Sequence, residues 1–89
     1  MKHVIKSTGK VQIYSSTKLQ KSIARSLLAV HVAEEDVADI TSKVSTAVMA
    51  WLDNKYEVST VDIRTIASRE LAKYSKDAAV VYKKHKELW

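Results

Sequence analysis

Eighty-nine residues, 46% of them apolar, with one glycine, no proline and no cysteine, are enough for a single domain around one core. The absence of cysteine excludes a disulfide framework and a thiolate metal site. No apolar run approaches the ~20 residues that cross a bilayer, and Met1-Lys2-His3-Val4 carries no apolar signal-peptide core, so the chain reads as soluble and cytoplasmic. The net charge of +5 is unevenly spread: residues 1–25 hold six Lys/Arg and no acid, 26–62 hold seven acids against Lys43 and Lys55, and 63–89 hold seven bases against three acids. Basic ends that met in space would form one positive face able to attract an anion.

The chain opens with two β-rich stretches, Val4-Ile5-Lys6 and Val11-Gln12-Ile13-Tyr14, around Ser7-Thr8-Gly9-Lys10. This pattern predicts a hairpin over 3–14 in which Gly9 supplies the positive φ of the turn. A serine then stands where it can cap a helix over about 16–30, with Leu19, Ile23, Leu27 and Leu28 on one face. Glu34-Glu35-Asp36 suits the positive end of a second helix, about 34–53, striped by Val37, Ile40, Val44, Ala47, Val48, Trp51 and Leu52. Tyr56-Glu57-Val58 is long enough only for a loop or an isolated strand that could join the hairpin. Ser59 and Asp62, three apart, form a capping-box start for a helix over about 60–74 with Ile63, Ile66, Ala67, Leu71 and Tyr74 inward. A fourth helix is expected over about 76–88, with Ala78, Ala79, Val81, Tyr82, His85 and Leu88 inward. The predicted fold class is α+β, mainly α: a four-helix bundle in one domain, 1–89, capped by an N-terminal β-hairpin or a small three-stranded sheet. A two-stranded ribbon is marginal alone, so it should cover the bundle.

Gly9-Lys10 invites comparison with a phosphate-binding loop. That loop needs a second glycine upstream, a Ser or Thr after the lysine and a helix following, whereas here Val11 follows and the chain returns to an extended segment. His3, His31 and His85 are scattered and show no metal-ligand spacing. No paired acid and base and no nucleophile constellation is visible, so the chain does not read as an enzyme. What remains is Lys6 on the first strand with Lys18 and Lys21 at the start of the first helix, where lysine charge and unpaired backbone N–H groups could hold phosphate. Lysines simply lying over a small domain account for the same residues.

The stretch from Val4 to Leu19 resembles the opening of the ATP-cone domain, approximately V-x-K-R-[DN]-G, a second strand, a polar turn and K-[IL]. Val58-Ser59-Thr60-Val61-Asp62-Ile63 is similar to its V-[ST]-[ST]-x-[DE]-I segment, and Ala79-x-x-Tyr82 to its closing helix. The resemblance runs from Val4 to about Glu87. It implies a regulatory domain that binds ATP or dATP, with or without Mg, and does not hydrolyse it, as in ribonucleotide reductase large subunits and the repressor of their genes. By position, Val4 and the segment Gln12 to Ser15, Tyr14 included, would border the base. Lys6, Lys18 and Arg64 would approach phosphates, Leu19, Thr60 and Ile63 would line the pocket, and a basic residue of the last helix such as Lys86 would close it; Ser7 and Lys21, close to these lysines in the chain, are further candidates for nucleotide binding. Ser7 stands where the family usually has arginine, removing a planar phosphate contact. No structural metal is implied, and the partner would be the chain's own oligomer or a larger regulated protein. The rival readings are a basic helical module that binds nucleic acid, for which no recognition motif appears, and an interaction domain whose nucleotide site has decayed.

Overall fold

The order of elements is β1 (His3–Ile5), β2 (Val11–Ile13), α1 (Ser16–Ala29), α2 (Glu34–Leu52), β3 (Glu57–Ser59), α3 (Thr60–Ala72) and α4 (Lys76–Lys84). It is taken from a computed structural model that describes residues 3–5, 9–55 and 57–84. The fold is α+β and mainly α, as the periodicities predict. Lys6, Ser7, Tyr56, His85, Lys86 and Leu88, for which expectations were stated, lie outside the described residues.

β1 is the middle strand of the sheet, whose order is β2-β1-β3. It pairs antiparallel with β2 and parallel with β3, so Val4 lies opposite both Gln12 and Val58. The short extended piece before α3 therefore does complete the sheet. Gly9 has φ +87°, a conformation that costs a side-chain-bearing residue about 1–2 kcal/mol. An added Cβ there would meet nothing within 4 Å, so backbone conformation alone accounts for the glycine.

The bundle forms because each helix has one apolar stripe. Leu19, Ile23 and Leu27 on α1, Val44, Val48 and Leu52 on α2, Ile63, Ala67 and Leu71 on α3, and Ala78 and Tyr82 on α4 are all at most 1% exposed. Burying a Leu, Ile or Val side chain stabilises by roughly 1.5–3 kcal/mol, and these residues form a single cluster with Val4 and Val58 from the sheet. Ser22 and Ser26 are also buried on α1; their hydroxyls donate to the carbonyls of Lys18 and Ser22 at 2.9 and 3.0 Å. These bonds meet the requirement that a buried polar group be partnered.

Two expectations about the core fail. Leu28 is 49% exposed, because Leu27 holds the inward position and the next residue is turned about 100° around the helix. Tyr74 is 46% exposed, because α3 stops at Ala72 and its stripe ends with Leu71; the Lys43 ammonium sits 5.9 Å from the Tyr74 ring centre instead.

The end of α1 has a feature that the apolar pattern does not reveal. The His31 N–H donates to the Leu28 carbonyl at 3.0 Å and the Val32 N–H to the Leu27 carbonyl at 3.1 Å, while His31 takes φ +64°. This is a Schellman closure, a position where glycine is the usual residue.

Candidate functional site

The sheet's inner row, Gln12, Val4 and Val58 in register, faces the bundle. Val4 is fully buried and Val58 5% exposed, and Gln12 is half-buried. Val11 and Ile13, flanking Gln12, are 57% and 53% exposed, as strand alternation requires. The inner row thus ends in an amide among aliphatic side chains.

Each outer strand leads almost directly into a helix. After β2, the Ser15 side chain accepts the Lys18 N–H at 3.3 Å and its carbonyl accepts the Leu19 N–H at 3.2 Å, opening α1. After β3, the Ser59 hydroxyl accepts the Asp62 N–H at 3.1 Å while the Asp62 carboxylate accepts the Ser59 N–H at 3.2 Å, a reciprocal capping box opening α3. Because β2 ends opposite His3 and β3 ends opposite Ile5, the two helices leave from opposite ends of the sheet. The electropositive starts of α1 and α3 therefore flank the layer beneath it.

Buried polar atoms stand out from the apolar core. The Gln12 Nε2, Arg64 Nε and Tyr82 Oη atoms are buried and have no hydrogen-bond partner among the described residues. Burial pushes the Tyr14 hydroxyl up to about 12. Burial also raises the Tyr82 hydroxyl, with the Arg64 guanidinium opposing the rise and Tyr14 adding to it. These mutual influences put Tyr14 after β2, Arg64 on α3 and Tyr82 on α4 within electrostatic reach of one another. The unpartnered atoms can all donate a hydrogen bond, and no Asp or Glu is among the buried residues described. A buried group of donors with one cation and no acceptor of matching charge is costly and is suited to a ligand rich in acceptors.

The residues expected from the sequence fall into three groups. Tyr14 and Arg64 form a cluster with Tyr82, while Gln12 and Ser15 are half-buried close to Tyr14 in the chain. Val4, Leu19 and Ile63 have no exposed surface and Thr60 is 5% exposed, so these four are closed off from solvent in this conformation. Lys18 and Lys21 are exposed on α1. Lys21 lines a different groove, about 430 Å³ between α1 and α2, shared with Gln20, Ala24, Glu34 and Val37, which contains no member of the cluster. Tyr82 was not among the site residues expected from the sequence, although it lies within electrostatic reach of Arg64 and Tyr14. A phenol standing among alanines on an inward helix face was the available signal, since a buried Tyr hydroxyl normally needs a partner.

The described residues contain no group of three or more His, Cys, Asp or Glu able to hold a metal ion, and none of their helices is long and apolar enough to cross a membrane. The family model for the ATP cone domain matches residues 2–87 of the chain. A comparison with curated proteins gives no match.

Proposed function

The chain belongs to the ATP-cone domain family, and from that premise we propose that it senses adenine nucleotides, ATP or dATP, as the effector domain of a ribonucleotide-reductase-type allosteric system. ATP-cone domains bind nucleotides and regulate; they are not catalytic. The single observation that carries the finer reading is the set of buried donors on Gln12, Arg64 and Tyr82 that have no partner among the described residues. Adenine ring nitrogens and phosphate oxygens are acceptors, and a triphosphate supplies the negative charge that a partly enclosed guanidinium lacks.

In this reading Gln12, Tyr14 and Ser15 border the base, Arg64 and Tyr82 meet acceptor oxygens, and Lys18 at the start of α1 adds charge at the mouth. Lys6, Ser7 and Lys86 remain part of the proposal by their positions in the family pattern. The net charge of +5 favours arrival of an anion from a distance. Val4, Leu19 and Ile63 are sealed in this conformation, so a purine reaches them only if the sheet shifts relative to the helices. That shift is the regulatory step: a nucleotide favours one arrangement by the difference in its affinity for the two.

Calorimetric titration of the whole chain with ATP, dATP, ADP and GTP tests the proposal. Saturable binding of ATP or dATP, tighter than GTP and weakened by Arg64→Ala, is the expected result. Heats indistinguishable from dilution for every nucleotide, with the chain folded by circular dichroism, would overturn it.

A further inference from the structure

A second charged surface lies between α3 and α4. It is a groove of about 470 Å³ lined by Thr65, Ser68, Arg69 and Ala72 from α3 and by Lys76, Ala79, Val80 and Lys83 from α4. Each helix contributes positions i, i+3, i+4 and i+7, so each presents one continuous face about 10 Å long, two helical turns.

The groove's polar groups differ in how far they are already engaged. The Thr65 hydroxyl donates to the Val61 carbonyl at 2.9 Å and the Ser68 hydroxyl to the Thr65 carbonyl at 3.1 Å. Arg69, Lys76 and Lys83 have no ion pair among the described residues, whereas nearby Glu70 is engaged by Lys73 at 2.9 Å. Among the described residues no carboxylate lines the groove. Its floor is apolar: Ala79 is 7% and Val80 52% exposed, with Ala72 partly buried against the core. Three cations thus surround a small apolar patch in which Val80 is half-exposed beside the buried Ala79 and the partly buried Ala72.

We infer that this groove receives an acidic amphipathic helix of a partner protein, laid along α3 and α4. The charge pattern requires carboxylates on the ligand, and Lys76 and Lys83, two turns apart, match carboxylates at i and i+7 on a facing helix. The exposed Val80 favours a protein segment over nucleic acid, because a phosphodiester backbone gains nothing from covering it, whereas a small apolar side chain between the two carboxylates packs against it. A third helix in the depression between two others is also how helices commonly pack.

The experiment titrates the ¹⁵N-labelled whole chain, without nucleotide, with a synthetic helical peptide carrying Glu at two positions seven apart and Leu midway between. A peptide with Gln in place of both Glu and a duplex DNA of random sequence are run in parallel. Amide shifts should move along Arg69, Ala72, Lys76, Val80 and Lys83. The Gln peptide should bind at least tenfold more weakly, and K76E/K83E should lose at least tenfold in affinity with unchanged helical circular dichroism. Shifts confined to other surfaces would overturn the inference. So would equal binding of the Gln peptide, DNA displacing the Glu peptide from these residues at the same salt, or self-association of the chain through this face.

Discussion

Replacing Tyr82 by Phe separates the cost of the buried polar cluster from its use. Tyr82 is fully buried and its Oη lacks a partner among the described residues. Phe keeps the ring and its packing while removing the hydroxyl. Leaving such a group unsatisfied costs about 1–3 kcal/mol, so Y82F should stabilise the nucleotide-free protein by about 1 kcal/mol. For a domain of this length that raises Tm by roughly 4–8 °C. If the hydroxyl donates to the nucleotide, the same change removes about 0.5–1.5 kcal/mol of binding and weakens ATP roughly two- to tenfold. Thermal unfolding followed by circular dichroism gives the first number and calorimetry the second. Opposite signs, a more stable and more weakly binding protein, are the expected signature of a polar group retained for a ligand. A Tm below that of the wild type would show that the hydroxyl is satisfied within the fold. Unchanged ATP affinity would remove it from the site.

Arg64→Lys keeps the positive charge and loses the planar multi-donor group, so ATP affinity measured by calorimetry should fall by about tenfold while Tm moves little. His31→Gly removes a side chain held at φ +64° and should stabilise by about 1 kcal/mol, read as a higher urea midpoint; a lower midpoint would contradict the closure described. Ser59→Ala removes the acceptor of the Asp62 N–H and should cost about 1 kcal/mol, read as a lower Tm. Tyr14 and Tyr82 hold their protons more tightly folded than unfolded. Above the ordinary tyrosine pKa of about 10 the unfolded chain therefore binds fewer protons, and stability must fall as pH rises, for Tyr14 across about pH 10 to 12. Urea midpoints should be level below that window with respect to these groups and decline within it. Tyrosinate absorbance for two of the four tyrosines should appear together with the loss of helix.

The parts of the fold that the sequence disclosed are those governed by local rules. Periodicity gave the inward faces of α1 and α2, Ser59 and Asp62 gave the start of α3, and Gly9 gave the turn, because each signal lies within a few residues of its structural consequence. The site was only partly legible for the opposite reason. Gln12 and Arg64 were named as candidates through their places in a family pattern, but nothing in their own neighbourhoods shows that their nitrogens are buried with no partner among the described residues. Burial of that kind depends on parts of the chain far apart in sequence, as with Tyr14 after β2, Arg64 on α3 and Tyr82 on α4, which come within electrostatic reach of one another. Leu28 and Tyr74 misled because a stripe drawn on an isolated helix does not show where the neighbouring helix ends. His31 gave no warning, since the closure depends on backbone bonds that any residue willing to take positive φ can make.

The two surfaces are mechanically related. Arg64 of the cluster and Arg69 of the groove lie on α3, less than two turns apart, and Tyr82 of the cluster precedes Lys83 of the groove on α4. A helix is stiff along its axis, so a ligand that re-seats Arg64 and Tyr82 cannot leave the spacing of Arg69, Lys76 and Lys83 untouched unless α3 and α4 move together as one body. The alternatives predict different linkage. With relative movement, ATP changes the affinity for an acidic helix, and the helix changes the affinity for ATP by the same factor. With joint movement, the two bind independently. Titrating the acidic peptide with and without saturating ATP distinguishes them: a coupling factor of about five or more corresponds to the usual 1–3 kcal/mol of allosteric coupling, while a factor of one would assign signalling to the sheet.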